Sequence, residues 1–160
     1  MSVMSRLLLS RALRAACAAV VLAAGPAAAA DTCAAGADLV VSAADPAPVA
    51  DGDSTLLHPA VTNAGGTATA VPFTLYVHLP PGVVGTGTSS GATCSTLPFG
   101  HTVACAVPAG LAPGASVTAE VRISVASGMD PEVLDGTVEA ELPDDPTPGN
   151  NSRTFRITIV

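Results

Sequence analysis

The chain has no lysine and no tryptophan, and only one tyrosine and three phenylalanines among its 160 residues. With so few aromatic side chains, a core has to be built from valine, isoleucine, leucine and alanine. All six basic residues are arginines, against thirteen acidic residues. The sequence therefore has no basic stripe that could release counterions from phosphates, which argues against nucleic acid as a partner and against an anionic membrane surface.

The sequence also lacks an apolar run of the about 20 residues that span a bilayer. Its first thirty residues have a different layout: Arg6, Arg11 and Arg14 precede an apolar run over 15–24, and small residues follow at 27–30. A basic start, a short apolar stretch and an Ala-x-Ala ending are typical of a secretory signal peptide. The alternative, an uncleaved amphipathic anchor, is disfavoured by that ending.

The predicted cleavage site lies between Ala30 and Asp31. We expect a signal peptide over 1–30, a flexible N-terminal tail over 31–36 and one domain over 37–160, secreted to the extracellular space or cell envelope without a membrane span in the mature form. Cleavage removes three arginines and leaves all thirteen acids, so the mature charge is −10. Such a charge favours solubility outside the cell over attraction to a cationic partner.

Apolar and polar residues alternate with period two in several segments of the mature region, which is the pattern of half-buried antiparallel strands. The regular segments are Phe73–Leu79, Val117–Val125, Val138–Leu142 and Phe155–Ile159, and less regular ones are Asp38–Ala43, Thr55–Asn63, Ala92–Thr96 and Thr102–Val107. Pro59 lacks a backbone donor, which predicts an edge strand or a bulge there. The spacing indicates an all-β protein, an antiparallel immunoglobulin-like β-sandwich of about seven to eight strands that follows the signal peptide.

Six short motifs resemble, in order, those of the bacterial surface-repeat domain of unknown function 11. Ala37–Val41 is similar to its opening strand, Val61–Ala68 to its Asn-x-Gly turn after a valine, and Leu79–Val83 to its Leu-Pro-x-Gly signature. Leu111–Val117 and Asp145–Ser152 are similar to its last two motifs, and a cysteine pair completes the set. The resemblance implies an extracellular immunoglobulin-like module, often repeated in tandem on envelope proteins, with no assigned catalytic residues. The single copy and the missing anchor argue against a stalk.

The cysteine pair of that resemblance is Cys94 and Cys105. These residues lie on adjacent predicted strands joined by a turn over 98–100, so we expect a disulfide between them. Cys33 is left over in the tail after cleavage. It is predicted to be a free thiol or an intermolecular bridge, which would give a Cys33-linked dimer.

No residue constellation predicts catalysis. The three histidines, His58, His78 and His101, have no spacing that indicates a shared metal or nucleophilic site. Acidic residues cluster at turns, and Asp51, Asp53 and the pair at 144–145 could act as calcium ligands, but no stretch matches the twelve-residue calcium loop and aspartate is also a favoured turn residue. We therefore predict no catalytic, cofactor or metal residues.

The predicted function is a non-catalytic module, structural or adhesive, that binds an unknown protein or envelope component. The loops over 80–91 and 144–151 are the surfaces expected to carry binding, and to tolerate replacement. The alternatives are a secreted hydrolase that uses one of the histidines and a calcium-dependent binding module.

Overall fold

The computed structural model describes residues 36–160. The predicted signal peptide over 1–30, its cleavage site and Cys33 lie outside the described residues. Of the predicted tail, only Gly36 lies inside them.

Within residues 36–160, ten β-strands make up almost all of the regular structure. They are β1 Leu39–Ser42, β2 Ser54–Leu57, β3 Ala60–Asn63, β4 Phe73–His78, β5 Val83–Ser89, β6 Thr93–Thr96, β7 Thr102–Val107, β8 Ser116–Val125, β9 Val133–Glu141 and β10 Ser152–Thr158. One turn of 3₁₀ helix, Pro148–Asn150, precedes β10. Among residues 36–160, no helix is long and apolar enough to cross a membrane.

The strands form two antiparallel sheets packed face to face. In the first sheet, β8 pairs with β2, β3 and β5, and β1 lies beyond β3. In the second sheet, the order is β10-β9-β4-β7-β6. The predicted all-β antiparallel sandwich is therefore confirmed, although it has ten strands rather than seven to eight.

The core lies between the sheets and is built from the inward residues of each alternation, mostly valine, leucine and isoleucine. Phe155 is its largest fully buried side chain. Its ring lies over Gly136, its register partner on β9, and a Cβ atom at Gly136 would stand 2.8 Å from two ring carbons. This glycine leaves the space that the phenylalanine fills.

Glycines at inward positions explain two differences from the predicted strands. The sequence pattern does not indicate β5, and β9 begins at Val133 although the predicted strand begins at Val138. In β5, Val83, Gly85 and Gly87 face inward. A Cβ atom at Gly87 would meet the side chain of Val103 at 2.6 Å, so the second sheet comes too close for any side chain there. Because glycine has no apolar side chain, the sequence of β5 does not alternate between apolar and polar residues, and the pattern that predicts a strand is missing.

Pro59 divides the predicted strand Thr55–Asn63 in two. β2 pairs with the later part of β8 and β3 with its first residues, in one continuous register. Between them the carbonyl of Pro59 still accepts a hydrogen bond from the N–H of Ala119 at 2.9 Å. The missing donor of proline accounts for the break.

A proline-containing strap over 44–49 runs along the outer edge of β10. Val49 forms a parallel bridge with Ile159, and its N–H donates to the carbonyl of Thr158 at 3.0 Å. Asp45 accepts a hydrogen bond from the backbone N–H of Arg156 at 2.8 Å and makes an ion pair with its guanidinium at 3.5 Å. The strap thus covers one edge of the second sheet.

The asparagine of the Asn-x-Gly motif, Asn63, links three segments of the fold through its side chain. Asn63 is fully buried; its Oδ1 accepts from the N–H groups of Asp38 and Gly65 at 3.2 and 3.0 Å. Its Nδ2 donates to the carbonyls of Thr67 and Leu111, each at 2.8 Å. One side chain therefore ties together β1, the turn after β3 and the loop before β8.

Candidate functional site

The three histidines lie in separate parts of the fold. His58 is exposed between β2 and β3 of the first sheet, and His78 ends β4 in the second. His101 lies just before β7, where its Nδ1 is 2.8 Å from the carbonyl oxygen of Val83. Among residues 36–160, the structure brings no two of these rings together as a shared metal or nucleophilic site would need.

The turn carboxylates bind backbone N–H groups. Asp51 accepts from Gly128 and Met129 at 3.1 and 3.0 Å, and these two hydrogen bonds lower the pKa of its carboxyl group. Asp145 accepts from Leu39 at 2.8 Å and also holds the N–H of Thr147. Within the described part of the chain, no three histidine, cysteine, aspartate or glutamate side chains converge on a possible metal ion.

The most distinctive polar cluster lies on the outer face of the second sheet. The rings of Tyr76 and His78 are stacked, with centroids 5.8 Å apart and planes 16° from parallel. His78 Nε2 is 2.9 Å from Oε1 of Glu139 on β9, and its Nδ1 is 3.2 Å from the hydroxyl of Thr102 on β7. We call Tyr76, His78 and Glu139 the outer-face cluster.

The neighbours of this cluster on β7 and β6 are small residues. Ala104 lies opposite Tyr76 on β7, and Ser95 lies opposite Ala104 on β6. The side chains of His78 and Glu139 remain 43% and 39% exposed. A half-exposed tyrosine and imidazole, fixed by their neighbours and surrounded by small residues, offer a partner apolar area together with hydrogen-bonding groups.

An acidic groove of about 550 Å³ adjoins the cluster at the end of the sheet. Glu139 belongs to both, and Glu141 and Asn151 also line the groove. Asn151 is 7% exposed, and its Oδ1 is buried without a hydrogen-bond donor. The groove therefore combines two carboxylates with an acceptor that has no partner.

The two loops expected to carry binding are not free loops. The prediction is wrong for 80–91, because most of this segment is strand β5. The loop over 144–151 is tied to the start of β1, since Asp145 binds the N–H of Leu39 and Asn150 donates to Asp38 at 3.1 Å. Replacement of either segment would remove contacts that hold the fold together.

Cys94 and Cys105 form a disulfide between register partners on β6 and β7, with their Cα atoms 3.9 Å apart. Cys105 belongs to the core and Cys94 is half-buried. The bond ties the edge strand of the second sheet to its neighbour.

No family model matches the chain, and no curated protein matches it. Solved structures do. A cohesin module of a family 33 glycoside hydrolase from Clostridium perfringens aligns with a TM-score of 0.54 and 10% identity, over 78% of this chain and 97% of that one. A CARDB domain from Pyrococcus furiosus, in complex with di-metal ions, aligns with a TM-score of 0.52 and 16% identity, over 80% of this chain and 92% of that one.

The fold is an immunoglobulin-like sandwich. The major pilin subunit of Bacillus cereus also contains it, with a TM-score of 0.52 and 7% identity over 77% of this chain and 40% of that one. At such identities these likenesses concern architecture alone, and they carry no binding residues over to this chain.

Proposed function

We propose that this chain is a non-catalytic extracellular module of the cell envelope or secretome that binds a protein or envelope partner through the outer face of the sheet β10-β9-β4-β7-β6. The observation that carries the proposal is the outer-face cluster. Tyr76, His78 and Glu139 are held in place by stacking and hydrogen bonds, yet each keeps part of its surface for a partner.

Five further observations support the proposal. The histidines are spread over separate elements, and the turn carboxylates are used on backbone N–H groups. Architecturally similar domains include cohesin modules and a pilin subunit. A disulfide is expected of a protein that folds in an oxidising compartment, and the motifs over 37–160 support membership of the surface-repeat family.

The experiment is capture of cell-envelope components by the immobilised mature domain. Tyr76→Ser and Glu139→Gln should each reduce capture of the same component at least fivefold, because each removes a central contact of the face. Glu120→Gln is the matched control: it makes the same charge change on the exposed side of β8 in the other sheet. Equal capture by all four proteins would refute the outer face as the binding surface, and an activity abolished by a single histidine substitution would refute the non-catalytic function.

A further inference from the structure

The charges of this protein are confined to part of the chain. Residues 54–119 contain no aspartate, glutamate, lysine or arginine. The twelve carboxylates and three arginines of the described residues, a net charge of −9, all lie before or after this segment. Strands β3 to β7 fall within it, so one side of the sandwich, formed by β5, β6 and the turn after β6, has no charge of its own.

The edge of the second sheet on this side is bare. Among residues 36–160, β6 pairs only with β7. Its four residues, Thr93–Thr96, include neither a charge nor a proline, the two devices that usually prevent edge strands from pairing with another chain. The opposite edge, β10, is covered by the strap over 44–49. The disulfide holds the bare edge in strand geometry.

An exposed phenylalanine stands next to this edge. Phe99, in the turn between β6 and β7, is 89% exposed and has a φ angle of 71°. Leu97 and Val84 beside this turn are 41% and 44% exposed. A bulky residue with positive φ is uncommon, and the turn directs this aromatic side chain away from its own core.

A groove of about 600 Å³ lies at the other end of β6. The segment Ser90–Thr93 forms one wall, Pro72 and the end of β7 with Pro108 form the other, and none of these residues is charged. The groove is large enough to accept an aromatic side chain, and the exposed side chains of Pro72 and Pro108 give it apolar surface.

From these features we infer that β6 is a homodimerisation edge. Two copies pair their β6 strands antiparallel about a twofold axis, with Ser95 opposite Ser95 and Cys94 opposite Thr96 of the second copy, and so extend the sheet from five strands to ten. In this register, the segment 97–99 of one copy runs beside 91–93 of the other. Each Phe99 then enters the groove of its neighbour, which is the self-complementary arrangement that a twofold axis requires.

Charge identifies the occupant as a second copy of this chain. Two copies, each with a net charge of −9 over residues 36–160, repel wherever their acidic surfaces meet, and the side formed by β5 and β6 is where their contact faces carry no like charges. The two Phe99 side chains bury about 400 Å² of surface between the copies, and the two four-residue β6 strands add a short ladder of backbone hydrogen bonds. An interface at the small end of the range gives a dissociation constant on the order of 100 µM. Dimerisation through β6 is independent of what the outer-face cluster binds.

The test is sedimentation velocity of the full mature chain carrying Cys33→Ser, from about 5 to 500 µM. We expect a monomer–dimer equilibrium that strengthens when salt rises from 50 to 500 mM, because salt screens the mutual repulsion. Phe99→Ser and Ser95→Glu should each raise the dissociation constant at least tenfold. Thr154→Glu, at an exposed position of β10 on the opposite edge of the sheet, should leave it within twofold.

Hydrogen exchange distinguishes edge pairing from other contacts. Amides of Thr93–Thr96 should become more protected as concentration rises, while thermal melting of dilute Phe99→Ser remains unchanged. A monomer at 500 µM, or a dimer weakened equally by Thr154→Glu, overturns the inference. Protection of β6 only when an envelope peptide is added also overturns it, because the occupant would then be a foreign strand.

Discussion

Replacement of Asn63 by alanine should destabilise the domain more than any other single polar substitution among the described residues. The change leaves the N–H groups of Asp38 and Gly65 and the carbonyl of Thr67 without a partner, while the carbonyl of Leu111 keeps the N–H of Thr69 at 3.1 Å. At about 1 kcal/mol for each of the three groups that lose their partner, the expected loss is about 3 kcal/mol. Because domains of this size are stable by about 5–15 kcal/mol, this is a large share of the total.

Guanidinium unfolding with the disulfide intact measures this loss. The midpoint should fall at an unchanged m-value, and the melting temperature should fall by about 10–15 °C. Asn151→Ala is the matched control, since Asn151 has the same amide and is 7% exposed, but its Oδ1 accepts no hydrogen bond. We expect it to cost about 1 kcal/mol. If both substitutions cost the same, burial of the amide rather than its hydrogen bonds determines stability at these positions.

Four further predictions follow from contacts described above. Gly136→Ala places a methyl group against the ring of Phe155 and should cost about 2 kcal/mol in thermal unfolding. Reduction of the disulfide, whose cysteines are 11 residues apart, should lower the free energy of unfolding by about 3 kcal/mol. Because its hydrogen bonds lower the pKa of Asp51, the ionised carboxylate stabilises the fold at pH values above 3.8, its ordinary pKa, and this stabilisation is lost as pH falls through the folded-state pKa. Asp51→Asn should remove this part of the pH dependence of the urea midpoint. The exported protein should begin at Asp31, as intact mass can establish, and a product that retains residue 1 would contradict export.

Two of these predictions have a matched control substitution. Gly149→Ala adds the same methyl group where no heavy atom lies within 4 Å, so it should leave the melting temperature nearly unchanged. Among the described residues, the carboxylate of Asp53 accepts a hydrogen bond only from the N–H of Ser54. Asp53→Asn therefore makes the same charge change as Asp51→Asn without removing the hydrogen bonds to Gly128 and Met129. A change as large as that of Asp51→Asn would assign the effect to net charge.

The strands that were predictable from sequence are those whose inward residues are apolar. β4 and β8 alternate buried and exposed side chains along their whole length, as their sequences indicate. β5 could not be found, because its inward positions are glycines that a neighbouring sheet requires. Pro59 predicted an edge strand or a bulge, and in the structure β2 ends before this proline and β3 begins after it.

The candidate site was less predictable than the fold. The alternation in β4 places His78 on the exposed side, but Glu139 lies 61 residues further along the chain. Only the register between β4 and β9 brings these two side chains together. Register depends on how all the strands pair, and no local pattern of residues specifies it.

The strap over 44–49 also determines how the domain would respond to mechanical tension. Val49 and Ile159 run parallel, so a force that pulls the two ends of the described chain apart slides the strap along β10 rather than peeling it away. Two backbone hydrogen bonds of Val49, to Thr158 and from Val160, and the Asp45–Arg156 ion pair oppose that sliding together. Resistance to forced unfolding is a property of the unfolding rate, and in this sandwich it should depend more on these few contacts than on the total buried area.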